Sequence, residues 1–549
     1  MNLMINNILN TQTKNITVAA LILGAASLGS ALLGLFRDRL LAGTFGAGDE
    51  LDIYYAAFRI PDFVAMILIL GAISAAIIPV FSEHLVRSKE EAWEFTCALL
   101  NLLLISLIFV CLVLVVFTPF LISLVAPGFE GEKKELTILL TRIMFLSPIL
   151  LGISSLMSGI LQVFHRFLAT SLAPIMYNLG IIFGILFFVP QIGISGLAWG
   201  VALGGILHFL IQLPAFFLSG FRYKIILDFS HKGIRKVIGL MLPRSLGLAA
   251  SQINLIVITA IASTLISGSI AIFNLANNLI YILIGLIAVP FSTAVFPALS
   301  LDFSKKEMVK FTHKFSSVFR KILFLIIPLS FLFFLLRAQI VRIILGTGQF
   351  GWNETRLTAA CLGIFSFGIF AQGLVILLSK TFYAVHNTKI PALISVVSVA
   401  LNIVLCFLFV WLLGFPNIFQ RSLIELLKLG GIGSVVIIGL PLALSISGVF
   451  QLSLLLIFLQ KKLNDLKLKE IWYSFGKILT ASLVMVFFTY FSLQIIANFV
   501  NMQTFLGVFL QTGIAGLLGI FIYILIAFFL KSPELQAVKR SILKQFSKF

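Results

Sequence analysis

The chain has 549 residues, 60% hydrophobic and only 11% charged, with a mean hydropathy of +1.14 that lies far from that of water-soluble domains. A net charge of +19 in a soluble protein would point to nucleic acid, but no nucleic-acid motif accompanies it. The composition describes a polytopic membrane protein whose Lys and Arg must first be tested for a topological role.

A span needs about 20 apolar residues, and that rule predicts about fourteen: 15–36, 53–81, 93–125, 136–164, 169–189, 193–219, 234–265, 269–300, 319–345, 357–385, 390–413, 431–459, 471–498 and 503–530. The first run is long and lacks a small-residue cleavage site, so it reads as a retained span rather than a signal peptide. Between spans one and two lies the stretch GLFRDRLLAGTFGAGDELDIYYAAFRIP, 34–61, which packs seven charged residues beside lipid-like runs. Charge at a membrane boundary marks a functional-site candidate.

With the amino terminus inside, alternate segments hold 25 Lys and Arg on the inner side against 9 on the outer. The asymmetry places both termini on the cytoplasmic side. Five basic residues fall inside spans: Arg59, Arg142, Arg244, Lys380 and Lys477. Lys477, Lys380 and Arg142 lie near span ends and snorkel by this reading. Arg59 precedes Pro61, and Arg244 follows a proline roughly 12 Å into span seven. An arginine at such depth costs at least about 2.5 kcal/mol unless it meets water or a partner. Because guanidinium grips phosphate through two parallel hydrogen bonds, a large anionic amphiphile is one reading of these residues and a structural Arg–Asp pair the other.

The chain also repeats. SAAIIPVFS, 74–82, closes span two and STAVFPALS, 292–300, closes span eight; Gln212 in span six echoes Gln451 in span twelve. Six spans recurring in the same orientation give two lobes in parallel repeat, with spans thirteen and fourteen added. The domain boundaries that follow are 1–230, 231–465, 466–530 for the extra pair, and a basic tail 531–549.

Gly196, Gly200 and Gly204, four apart, predict close helix packing. The inner loop 301–318 and the tail, where Val538, Ile542 and Phe546 fall four apart, read either as helices on the inner leaflet or as solvated charged helices. Cys97, Cys111, Cys361 and Cys406 lie in apolar runs without metal or CxxC spacing and read as buried hydrophobes. No phosphate loop, HExxH or GxSxG is present. Neither a metal nor a cofactor is expected, and the drive falls to the membrane potential, a sodium or proton gradient, or a partner.

Residues 34–63 resemble the first-loop signature of the MurJ (MviN) family, and further matches lie in VAPGF (125–129), LQVFHRFLATSLAPIMYN (161–178), SQINLIV (251–257) and FYAVHNTKIPAL (382–393). The resemblance implies fourteen helices, two six-helix lobes and an extra pair, within the multidrug/oligosaccharidyl-lipid/polysaccharide exporter superfamily. It also implies a flippase for lipid II, the undecaprenyl-pyrophosphate-linked peptidoglycan precursor, in the cytoplasmic membrane. By that similarity Arg37, Asp38, Asp52 and Arg59 contact the headgroup or latch the outer gate. Three family arginines are replaced by Ala31, Ala65 and Asn278, and a family glutamate by Leu70; Arg244 is the candidate to compensate.

The resulting expectation is alternating-access translocation of lipid II, with membrane lipids and cell-wall synthesis enzymes as partners and no enzymatic activity of its own. The alternative is a flippase for another undecaprenyl-linked glycan, or a cation-coupled drug exporter of the same superfamily. From other classes come a membrane glycosyltransferase, for which Asp49, Glu50 and Asp52 form the only outer acidic cluster, and a transport-dead scaffold.

Overall fold

The computed structural model describes residues 16–70, 73–228, 231–463 and 465–536. Within them every regular element is a helix. The helices are α1 (Ile16–Phe45), α2 (Asp49–Val64), α3 (Ile73–Arg87), α4 (Lys89–Val125), α5 (Gly131–Val163), α6 (Phe167–Ile192), α7 (Ser195–Phe217), α8 (Lys232–Ser263), α9 (Ser269–Ser304), α10 (Met308–Leu335), α11 (Trp352–Ser366), α12 (Ile369–Ala384), α13 (Lys389–Leu413), α14 (Val436–Leu463), α15 (Leu468–Ala497) and α16 (Phe505–Phe529). Among the described residues ten helices are long and apolar enough to cross a bilayer, or up to eleven if α11 and α12, bent by 47°, count as one. The protein is all-α and polytopic. The expected spans one, two and seven coincide with α1, the pair α2 and α3, and α8.

Residues 1–271 and 272–549 form two compact units. In the first, α4 starts at a serine cap: the Ser88 hydroxyl accepts the Glu91 N–H at 3.0 Å, with Glu90 and Glu91 in the first turn. It ends where Pro127 and Gly128 stop it. One apolar core gathers Phe81, Trp93, Phe95, Ile160, Phe216 and Phe221 at the Ser88 end of this unit.

The small-residue stripe packs as its spacing predicts. A Cβ on Gly200 would lie 2.9 Å from the Cα of Gly184, and one on Gly204 would lie 2.6 Å from the carbonyl of Tyr177. Backbones of α6 and α7 therefore touch, which in lipid supplies dispersion contact in place of hydrophobic drive.

The repeat has a structural counterpart that the residues did not announce. Span two is interrupted by a π turn over Ala65–Leu70 and span eight by another over Ile284–Ala288. In the register that aligns Ser74 with Ser292, these turns begin within one residue of each other. A π turn strains the ladder and recurs at working positions of helices.

In the second unit, the last helix pair is fastened to α10. The Tyr523 hydroxyl donates to the Phe324 carbonyl at 2.8 Å, and Arg320 meets the buried Glu534 at 2.9 Å and Glu470 at 3.6 Å. Residues 301–318 are not a separate leaflet-lying helix. They continue α9, turn at 305–307 and begin α10, with Phe311 and Phe315 fully buried. The tail positions Val538, Ile542 and Phe546 lie outside the described residues. All four cysteines are free and buried.

Candidate functional site

The charged stretch becomes the end of α1, a three-residue turn and the start of α2. Arg37 donates through Nε and Nη2 to one oxygen of Asp38, at 3.0 and 2.8 Å, and through Nη1 to Asn178 Oδ1 at 3.1 Å. Asn178, on α6, is held in turn by the Ser30 hydroxyl and the Pro174 carbonyl. Asp38 is 3% exposed, so this is a buried charge pair on a membrane helix, and its persistence depends on the added hydrogen bond from α6.

Arg59 lies on the next helix. Its Nε donates to the Thr259 hydroxyl of α8 at 2.7 Å, and Thr259 donates to the Leu255 carbonyl. Three residues further, Asp62 hydrogen-bonds Gln252, also on α8. Tyr55 lies within electrostatic range of Arg37, Asp38 and Arg59, and its buried hydroxyl has no hydrogen-bond partner among the described residues. Tyr54 packs edge-on against it, ring centroids 5.3 Å apart. Tyr177, next to Asn178, bonds Ser147 and lies within electrostatic range of Arg37, Tyr54 and Asp62. Two guanidinium groups, two carboxylates, three phenols and an amide thus share one interior region of the first unit. Such a set has the chemistry to hold an anion through the guanidinium groups and to orient neutral oxygens through the hydroxyl and amide groups.

Asp52 does different work. It is 2% exposed, and its carboxylate accepts the backbone N–H of Gly268 and of Ala271, both at 2.8 Å. These amides belong to the opening turn of α9, whose own Ser269 hydroxyl has no partner among the described residues. Asp52 therefore caps a helix from another segment of the chain, where the helix dipole favours a negative charge. Lys133 Nζ stands 3.7 Å from Asp52, over the ring of Phe129 at 4.1 Å, and pairs with Asp49. The hydrogen bond from Lys133 holds the Asp49 carboxyl below the usual carboxylate range.

Close backbone approach seals this end. Gly268 has φ +84°, and a Cβ there would stand 1.8 Å from the carbonyl oxygen of Ala47; a Cβ on Gly128 would stand 2.1 Å from that of Ser263. Only glycine fits either position.

Of the five residues expected from sequence, the structure groups Arg37, Asp38 and Arg59 and sets Asp52 apart in the closure. Arg244 falls within α8, but its side chain lies outside the described residues. Lys477 packs over the Tyr473 ring, Arg142 reaches the Val115 carbonyl, and Lys380 donates to Thr293. Tyr54, Tyr55 and Asp62 stood inside the charged stretch, and Tyr177 and Asn178 inside a motif already quoted, yet nothing local announced their roles. Lys133 reads in the sequence as a topological charge.

The family model described as "Lipid II flippase MurJ" matches residues 41–510. The chain is 31% identical over 493 residues to a "Probable lipid II flippase MurJ" of Buchnera aphidicola subsp. Schizaphis graminum, covering 88% of this chain and 91% of the relative. To the "Lipid II flippase MurJ" of Burkholderia cenocepacia it is 28% identical over 398 residues, 70% of this chain and 76% of the relative. Among solved structures it is similar to a lipid II flippase MurJ in an inward closed conformation, with TM-score 0.74, 26% identity, and coverage of 93% of this chain and 99% of the other. An inward-facing multidrug transporter of the MATE family superposes with TM-score 0.65 at 15% identity over 81% of this chain and 99% of the other, a likeness of fold alone.

Proposed function

Because this chain belongs to the MurJ family, shown by the match over residues 41–510 and by 31% identity across nine-tenths of a curated relative, we propose that it translocates lipid II across the cytoplasmic membrane by alternating access. It is a multi-pass membrane protein; the excess of Lys and Arg on one set of connecting segments supports placing that set, and both termini, inside.

The observation that carries the reading is the half-buried cluster of Arg37, buried Asp38 and Arg59 within reach of the Tyr55 hydroxyl, which has no partner among the described residues. In this conformation each guanidinium is held by a protein oxygen. A pyrophosphate offers stronger bidentate acceptors, so binding exchanges Asn178 and Thr259 for phosphate and leaves Asp38 to fix the orientation of Arg37. The tyrosine hydroxyls and Asn178 then address the sugar and linkage oxygens. Arg37 and Arg59 take the load that Ala31, Ala65 and Asn278 do not carry in this chain; Ala65 is 8% exposed and opens the π turn of span two.

The Asp52 cap and the glycine contacts form the latch of the outer gate. Opening it uncaps α9, so closure is stabilised by hydrogen bonds rather than by apolar burial. The membrane potential is a sufficient drive, since each elementary charge moved outward as an anion gains about 2.3 kcal/mol per 100 mV. Cell-wall synthesis enzymes are the partners this role implies.

The test is a headgroup-accessibility assay with the purified protein in vesicles containing lipid II. Translocation is expected from the unaltered protein and to fall at least ten-fold in Arg37→Ala and Arg59→Ala. Full translocation by both variants would remove the arginine cluster from the mechanism, and no translocation of lipid II alongside transport of another undecaprenyl-linked glycan would reassign the cargo.

A further inference from the structure

The lipid belt of the first unit can be read from α4. Its exposed large apolar residues run from Ile105 through Phe109, Leu112, Val116 and Phe120 to Leu124, and none occurs between Lys89 and Leu104. Those positions cover about 30 Å at 1.5 Å per residue, the thickness of a hydrocarbon core. Asn101 and Cys97, one to two turns before Ile105, therefore stand at the level of the headgroups.

An extended strap, residues 221–228, is tied to the helix at that level. Asn101 Nδ2 donates to the carbonyls of Lys224 at 3.3 Å and Ile226 at 3.1 Å, and the Tyr223 hydroxyl donates to Asn101 Oδ1 at 2.7 Å. The Lys224 N–H reaches Cys97 Sγ at 3.3 Å. Phe221 and Ile226 turn inward onto the core around Trp93. The remaining apolar side chains turn outward: Tyr223, Ile225 and Leu227 are 53%, 81% and 56% exposed. Around them lie Arg222, Lys232 and Arg235, all exposed, with Lys224 and Lys236 already paired to Glu94 and Glu83. Asp228 is the strap's one acid and is itself engaged.

Exposed aliphatic side chains beside cations, at headgroup depth, match the chemistry of a bilayer surface bearing negative charge. We propose that residues 221–228 form an interfacial anchor for anionic phospholipid on the basic side of the membrane, Ile225 and Leu227 entering the acyl boundary and Arg222, Lys232 and Arg235 contacting lipid phosphates. The strap is also the covalent link from α7 to α8, so the anchor fixes the depth at which α8 begins. The inference depends on the membrane reading alone and is independent of the cargo.

Ile225→Cys and Leu227→Cys in the full-length protein place a polarity-sensitive fluorophore on the strap, the four native cysteines being buried. In vesicles of phosphatidylcholine and phosphatidylglycerol without lipid II, both labels are expected to emit to the blue of a label at Glu90→Cys and to be quenched by lipids brominated near the carbonyl end of the chain. Replacing Arg222, Lys232 and Arg235 together by Gln is expected to weaken both signals. Water-like emission, a blue shift insensitive to brominated lipid, or equal signals in phosphatidylcholine alone would each overturn the assignment.

Discussion

Asp52→Asn probes the closure directly. In the native protein each carboxylate oxygen accepts one backbone N–H of the α9 opening turn at 2.8 Å. An amide of the same shape keeps one acceptor and turns its NH2 group toward the other N–H. One charge-assisted hydrogen bond, worth about 1.5–3 kcal/mol, is lost, and with it the favourable charge at the helix start, about 0.3–1 kcal/mol. A net loss of about 2–3 kcal/mol shifts the closed-to-open ratio by about thirty- to hundred-and-fifty-fold. Ala47 is 8% exposed and its carbonyl abuts Gly268, so Ala47→Cys reports opening through its reaction with a membrane-impermeant thiol reagent. The labelling rate is expected to rise by that factor in Asp52→Asn and to rise less in Asp52→Glu, which keeps the negative charge at the helix start. An unchanged rate in a properly folded Asp52→Asn protein would show that the cap does not control the closure.

The remaining predictions concern the same end of the first unit. Gly268→Ala is expected to open the closure more than Asp52→Asn, because a Cβ there meets the Ala47 carbonyl and the backbone stands at φ +84°; labelling of Ala47→Cys measures it. Asn178→Leu should weaken transport several-fold by releasing Arg37 while leaving its pair with Asp38, and Asn178→Gln should recover part of the loss in the vesicle assay. Tyr55→Phe removes a hydroxyl that has no partner in the unliganded protein, so thermal stability should hold within about 0.5 kcal/mol while cargo affinity falls. For pH, the sign follows from Asp49, whose carboxyl is held low by Lys133: the contribution is present above the unfolded carboxyl pKa of about 3.9 and disappears as pH falls through the lower folded value. Thermal unfolding should therefore lose the difference between the native protein and Asp49→Asn as pH falls below about 4, a bound taken from that carboxyl value.

The fold was legible in the sequence where a property is additive along a helix. Span positions, the basic asymmetry and the glycine stripe each follow from local composition, and the structure places Gly200 against Gly184 as the spacing requires. Arg37, Asp38 and Arg59 were legible too, as charges that interrupt apolar runs. What the sequence could not convey is pairing at a distance. Arg59 finds Thr259 two hundred residues away, and Asp52 caps a helix opening at Gly268; neither partner carries a mark of its own, because a threonine in a span and a glycine before a helix are ordinary. The π turns show the same limit in another form. The match of Ser74–Ser82 to Ser292–Ser300 disclosed the repeat, yet the bulged backbone just before each segment, at Ala65 and Ile284, arises from packing that no single residue encodes. A third π turn occupies Gly184–Phe188 of α6 outside the repeat, but the paired turns of spans two and eight recur in the same register of both halves, which makes them the places to test for a bend that transport uses. Deleting one residue within Ala65–Leu70, which removes the extra residue of the π turn, should then slow transport without loosening the Asp52 closure, separating the bend from the latch.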